Sequence, residues 1–176
     1  VEKPLVPTLT EAAHLATTLR HQARTKPVTF LALPCIETPD HRLAADLLKR
    51  GAIGEISAAE FHRGHRGPTH AGWFYSKAQA GGGVLADLGI YHLTTAATLF
   101  GPTARFTASL STRFATRTLD DGTTITPDVE DSALLSLLTQ SGIAVSMHAH
   151  WNGSQPHQAT RARVTDSVEQ ALRLGE

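Results

Sequence analysis

The sequence predicts an α+β fold, with helices packed on one face of a mostly antiparallel open sheet. Three observations predict it. Helix signals crowd into the first 100 residues, and a two-strand hairpin pattern occupies residues 132–151. The chain has 176 residues, of which 41% are hydrophobic, enough for a packed core. A chain of about 150 residues hides roughly 70% of its unfolded surface. Elements segregated along the chain, rather than alternating strand and helix, place the helices together on one side of a sheet.

The elements follow in order. Thr8-Leu9-Thr10-Glu11 has capping-box spacing, and Ala12, Leu15, Leu19 and Ala23 then recur at helical intervals. Lys26-Pro27 ends that helix, and Val28 to Leu33 reads as an apolar, buried strand. A second helix takes Thr38 as cap and Pro39 in its first turn, with Leu43, Leu47 and Leu48 on one face. Gly51 is placed to end it in a left-handed conformation. Ile53 to Phe61 reads as a strand, with Gly54 helping the chain turn into it. Residues 62–80, rich in Gly, His, Pro and aromatic side chains, have no clean period and read as a functional loop. Gly81-Gly82-Gly83 leads into a third helix from Val84 to Phe100, closed by Gly101-Pro102. Ala104 to Leu119 alternates loosely, and Asp120 to Asp128 is turn-rich. Ser132 to Leu138 and Ile143 to Trp151 flank Thr139–Gly142 as a hairpin, and the tail from Val164 to Leu174 reads as a helix.

Composition excludes several classes of function. Sixteen basic residues balance sixteen acidic ones, so nucleic acid and anionic membranes, which demand a basic excess, are not the expected partners. No apolar run approaches the roughly 20 residues of a membrane helix. The lone cysteine, Cys35, excludes a disulfide framework and a cysteine-based zinc site; it reads as inert packing in a reducing, cytoplasmic setting.

The third helix carries the most chemistry. Asp87, Tyr91, Thr94 and Thr98 fall at i, i+4, i+7 and i+11 and share one face, while apolar residues occupy the rest. A helix apolar on most sides is buried, so its polar stripe faces a cleft, water or buried partners. Either a satisfied structural stripe or an active-site carboxylate and phenol fits that pattern. The triple glycine allows close backbone approach, but no GxGxxG or GxxxxGK[ST] fingerprint occurs. Ten histidines include His62, His65 and His70 in the loop, and His148 with His150 on one strand face, a spacing that metal sites use. Neither group has the HExxH form, and no metal is expected. No G-x-S-x-G elbow supports serine nucleophile chemistry.

The order of the motifs adds a resemblance. Val1-Glu2-Lys3-Pro4-Leu5 opens the chain before a capped helix, and Gly51-Ala-Ile-Gly54-Glu-Ile56 follows the second helix. Trp73-Phe74 precedes Gly81-Gly-Gly-Val-Leu-Ala-Asp87-Leu-Gly89-Ile-Tyr91, and Val129-Glu130-Asp131 starts the late hairpin. Over roughly residues 1–152 the sequence resembles the Gfo/Idh/MocA family of NAD(P)-dependent oxidoreductases. The resemblance implies residues 1–34 as the end of a dinucleotide-binding domain and residues 35–176 as an α+β substrate and oligomerisation domain. It implies hydride transfer between NAD or NADP and a sugar, cyclitol or related polyol, by a homo-oligomer joined through its open sheet. It implies Lys3, Asp87 and Tyr91 as catalytic residues, Glu2, Lys3 and Pro4 beside the cofactor, and Trp73, Asp87 and His92 beside the substrate. Many members have histidine where this chain has Tyr91; His92, one residue on, is rotated by about 100° and does not simply substitute.

The chemistry expected of that set is proton transfer at the oxygen next to the carbon that exchanges hydride. A tyrosine is ordinarily a weak base at neutral pH, and an ammonium within about 4–6 Å favours a phenolate. Trp73 suits stacking on a sugar ring and equally suits covering the core. The family's Rossmann fingerprint is missing ahead of Val1, and a polar stretch stands where the family continues its sheet after Trp151. The chain is therefore expected to be a fragment that binds cofactor poorly alone. The alternative is a catalytically silent oligomerisation or interaction module derived from the family.

Overall fold

The computed structural model describes residues 3, 6, 8–22, 36–154, 157–164 and 172–173. The predicted strand from Val28 to Leu33, Cys35 and the residues Glu2 and Pro4 lie outside them.

The first helix, α1 (Leu9–Gln22), starts with the predicted capping box closed in both directions. The Glu11 N–H donates to Thr8 Oγ1 at 3.2 Å, and Thr8 N–H donates back to Glu11 Oε2 at 3.1 Å. α2 (Pro39–Lys49) buries His41 and Ala44 rather than the predicted leucine face. Leu43 is exposed and Leu47 and Leu48 are half-buried. His41, Ala44 and Leu48, at i, i+3 and i+7, form the inward stripe, and Thr98 of the later helix lies 3.3 Å from His41 Nε2. Gly51 ends the helix with φ of 64° and donates to the Leu48 carbonyl, as its position predicts.

β1 (Ile56–Gly64) runs three residues further than the sequence suggests. The loop that follows is partly ordered into a 3-10 turn (Gly72–Tyr75) and a single-turn helix, α3 (Lys77–Ala80). The predicted third helix divides into a wide π-type turn (Leu85–Gly89) and α4 (Ile90–Phe100). Periodicity does not reveal such a turn, because it adds one residue to the helix without breaking its apolar character.

The remaining elements are strands: β2 (Thr103–Ser111), β3 (Arg117–Thr118), β4 (Thr124–Ile125), β5 (Ser132–Thr139), β6 (Ala144–His150), β7 (His157–Val164) and β8 (Leu172–Arg173). Thr139–Gly142 turns between β5 and β6, with Gly142 at φ of 90°. The tail corrects the sequence reading: Val164 ends a strand and Leu172–Arg173 form another, where a helix was predicted. The sheet also continues past Trp151. His157 to Val164 lacks a strong apolar alternation, and its pairing is supplied by the distant strand β1.

The main sheet has the order β2-β5-β6-β1-β7-β8. All its neighbours are antiparallel except β1 and β6. β5 and β6 alternate strictly, with Ala133, Leu135 and Leu137 beside Val145, Met147 and Ala149 on the buried face. Phe61 joins them from β1, and Val84, Leu88, Ala96 and Phe100 cover them from the helix side. An α+β fold with helices on one face of a mostly antiparallel sheet is what the segregated pattern predicts.

Glu130 anchors the helix start, and Asp131 anchors the loop after β2. The Glu130 carbonyl accepts from Val84 N–H at 3.0 Å, and its carboxylate Oε1 accepts from Gly83 and Leu85 N–H, each at 3.1 Å. A Cβ on Gly83 would lie 2.0 Å from the Glu130 carbonyl oxygen, so this glycine serves close backbone packing. Asp131, almost fully buried, accepts from the Arg113 and Phe114 N–H groups and pairs with Arg117 at 2.8 Å.

Candidate active site

β1 and the wide turn before α4 together build a cleft of about 670 Å³. Lys3, Asp87 and Tyr91 line it, with Arg63, His65 and Phe74 among their neighbours. Arg63 reaches it by strand alternation: it shares a face with buried Phe61, but sits where β1 leaves the core.

The Lys3 ammonium donates to Asp87 Oδ1 at 2.7 Å and to the Asp87 carbonyl at 2.5 Å. Both side chains are largely buried, so the pair is held by charge-assisted hydrogen bonds in a partly water-free setting. The same ammonium lies 4.6 Å from the centre of the Tyr91 ring. The Arg63 guanidinium lies 4.3 Å from that centre, so two cations contact one phenol ring. The wide turn contains Asp87, and Tyr91 follows one turn later on the same side.

His65 is a cleft residue that the sequence offered only as one of a loop cluster. Its Nδ1 accepts from the Gly67 N–H at 2.9 Å, which fixes the neutral ring with its proton on Nε2. Burial pushes its pKa down, Asp87 opposes that, and Arg63 and Lys3 add to it. No sequence spacing marked it, because its place depends on where β1 ends.

The predicted residues divide. Lys3, Asp87 and Tyr91 come together in the cleft. Trp73 is half exposed outside the lining and stacks on Phe74 at 3.8 Å between ring centres; of the two, Phe74 lines the cleft. His92 is 3% exposed, packs against Phe61 at 5.3 Å and does not line the cleft. The 100° step from Tyr91 points it into the core, where burial drives its pKa down to about 4, with Arg63 and His62 pushing the same way. Thr98 bonds back to its own helix at the Thr94 and Thr95 carbonyls, so the polar stripe reaches the cleft only through Asp87 and Tyr91.

Comparison with known proteins gives the site a context. The family model described as the GFO/IDH/MocA C-terminal domain matches residues 41–167. The chain is 34% identical over 128 residues to a protein of Amycolatopsis mediterranei named as a UDP-kanosamine synthase oxidoreductase subunit; the match covers 66% of this chain and 36% of that one. Among solved structures, an NAD binding oxidoreductase from Klebsiella pneumoniae is 26% identical with a TM-score of 0.81, covering 93% of this chain and 44% of the other. Levoglucosan dehydrogenase in complex with NADH and L-sorbose is 25% identical with a TM-score of 0.77, over 93% of this chain and 45% of the other. The chain thus spans about a third of the length of the curated relatives it matches.

Proposed function

The chain belongs to the GFO/IDH/MocA family through its C-terminal domain, and from that premise we propose that it carries the substrate side of an NAD(P)-dependent oxidoreductase acting on a sugar, cyclitol or related polyol. The observation that carries the reading is the convergence on one cleft of Lys3 with Asp87, 84 positions away, and Tyr91. Relatives named for UDP-kanosamine synthesis and levoglucosan dehydrogenation support the substrate class.

The residues present suit the reacting end of a nicotinamide cofactor. An ammonium, a carboxylate and a phenol stand on one wall of a cleft large enough for a monosaccharide-sized group. Lys3, with its neighbours Glu2 and Pro4, would border the nicotinamide, and residues 1–34 would belong to the dinucleotide-binding domain. The cofactor, NAD or NADP, supplies or receives the hydride when bound.

The chain's own residues do the rest. Asp87 holds the Lys3 ammonium by two hydrogen bonds and so fixes one donor toward the substrate oxygen. Tyr91, its ring clasped by Lys3 and Arg63, takes or returns the proton at that oxygen. The remaining Asp87 oxygen orients a neighbouring substrate hydroxyl. His65, with its donor on Nε2, offers a further hydrogen bond to a hydroxyl-rich substrate.

Self-association through the sheet is supported by exposed apolar side chains: Leu134 on its open face, and Phe106 and Leu110 on the edge strand β2. Among the described residues no helix is long and apolar enough to cross a membrane. The test is NAD(P)H formation over a panel of sugars, cyclitols and nucleotide sugars, with the chain placed behind a dinucleotide-binding domain. Turnover that Tyr91→Phe abolishes supports the reading. Absence of turnover on every member of the panel favours a silent interaction module.

A further inference from the structure

We propose that His62, His148 and His150 form a binding site for one divalent transition-metal ion of the zinc class, on the face of the sheet opposite the cleft. The parallel pairing of β1 with β6 sets His62 beside His148 and Gly64 beside His150. Alternation turns all three imidazoles away from the core, since their neighbours Phe61, Met147 and Ala149 face it. The three rings form a nearly equilateral group, with centres 4.9, 5.1 and 5.0 Å apart. One ring nitrogen from each lies within 4.8 Å of the other two. A tetrahedral zinc ion with bonds near 2.0–2.1 Å needs nitrogens about 3.4 Å apart, a gap that small side-chain rotations close.

A separate feature makes room for the third ring. A Cβ on Gly64 would lie 2.2 Å from His150 Cε1, so His150 folds flat over a position that only glycine permits. This glycine has no positive φ to explain it; the space is its role. Around the group, Ser132 Oγ lies 3.5 Å from His148 Nε2, in place to receive the proton of a ring that ligates through Nδ1. His150 Nδ1 accepts a long 3.3 Å bond from the Asn152 N–H, a weak contact that ligation through that nitrogen would replace.

The donor set selects the ion. Among the described residues the donors are three imidazoles with no thiolate or carboxylate, a set that suits zinc, copper(II), nickel or cobalt over magnesium or calcium. Three ligands from the described residues leave a fourth position for water or another donor. Bound there, the ion ties together β1 and β6, the parallel pair of the main sheet. No step of the proposed hydride transfer uses this site.

The experiment is calorimetric titration of the EDTA-treated, dialysed chain with zinc chloride, paired with visible absorption of the cobalt(II) form. One equivalent should bind at micromolar or tighter affinity, cobalt should give the intense bands of a tetrahedral site, and the Tm should rise with zinc. His62→Ala and His148→Ala should each weaken binding by at least about 100-fold, the upper end of what losing even an outer-shell partner costs. Gly64→Ala should weaken it while keeping every ligand. Circular dichroism checks the fold, and His148→Gln replaces the alanine variant if that one does not fold. No stoichiometric zinc in the wild-type chain, or binding that persists in both alanine variants, would overturn the proposal.

Discussion

The Lys3 ammonium donates to both the carboxylate and the backbone carbonyl of Asp87, at 2.7 and 2.5 Å, across 84 positions of sequence. Two hydrogen bonds to one residue fix the ammonium in direction as well as in place. Asp87→Asn should therefore act mainly through position. With the chain behind a dinucleotide-binding domain, kcat should fall by roughly 10²–10⁴, the usual weight of a positioned proton-transfer apparatus. Lys3→Met should fall at least as far. Steady-state kinetics on both variants check this, and a kcat within a factor of about two of wild type would remove the pair from the chemistry.

Tyr91→Phe isolates the phenol. The ring stays, so its contacts with Lys3 and Arg63 at 4.6 and 4.3 Å stay as well. Turnover should drop by orders of magnitude with cofactor affinity nearly unchanged, since only the proton-transferring oxygen is lost. Measuring kcat beside the NADH dissociation constant separates the two. A variant that loses cofactor affinity instead assigns Tyr91 to binding.

Much of this site was legible in the sequence, and for a physical reason. Asp87 and Tyr91 sit four residues apart, and helical geometry converts that spacing into a shared face. The capping box at Thr8 and the end of α2 at Gly51 were legible on the same basis, because local hydrogen bonding and backbone sterics decide them. His65 and Arg63 were not, since their place in the cleft depends on where β1 leaves the sheet. β7 escaped for a related reason: its pairing partner lies about a hundred residues earlier, and nothing in His157–Val164 alone calls for a strand. His62 beside His148 likewise needs the parallel register, which no local pattern encodes.

Gly83→Ala tests why the triple glycine is there. Its new Cβ would lie 2.0 Å from the Glu130 carbonyl oxygen, which is backbone and cannot swing aside. Overpacking of this kind costs about 1–3 kcal/mol or more. Urea unfolding should show that loss, whereas Gly122→Ala, where no neighbour lies within 4 Å of the added Cβ, pays only for its φ of 84°. Equal stability of Gly83→Ala and wild type would contradict the packing account.

Asp131→Ala should be among the most destabilising single changes. The carboxylate is 1% exposed, caps two backbone N–H groups and pairs with Arg117, which also donates to the Arg66 and Trp151 carbonyls. Removing one partner strands a buried cation and two amides, a loss of about 3–5 kcal/mol. Chemical denaturation of the variant measures it. A cost below about 1 kcal/mol would mean that water or a rearranged loop takes over those bonds.

His92 sets a pH dependence whose sign can be worked out. In the fold its pKa is about 4, because burial disfavours the imidazolium and Arg63 and His62 add to that; in the unfolded chain it is near the ordinary 6.5. Between those values the unfolded chain binds the extra proton and the folded chain does not, so stability falls as pH falls from about 6.5 toward 4. The gap of some 2.5 pKa units corresponds to about 3 kcal/mol at 1.36 kcal/mol per unit. His41 and His65, whose pKa values burial also lowers, slope the same way, so wild type alone does not isolate His92. The difference between wild type and His92→Leu does. Denaturation midpoints at pH 7 and pH 4.5 should show a shallower acid loss in the variant. His92→Leu should also relieve a buried Nε2 that finds no hydrogen-bond partner among the described residues. Identical acid limbs in the two proteins would mean that His92 opens to water before it protonates.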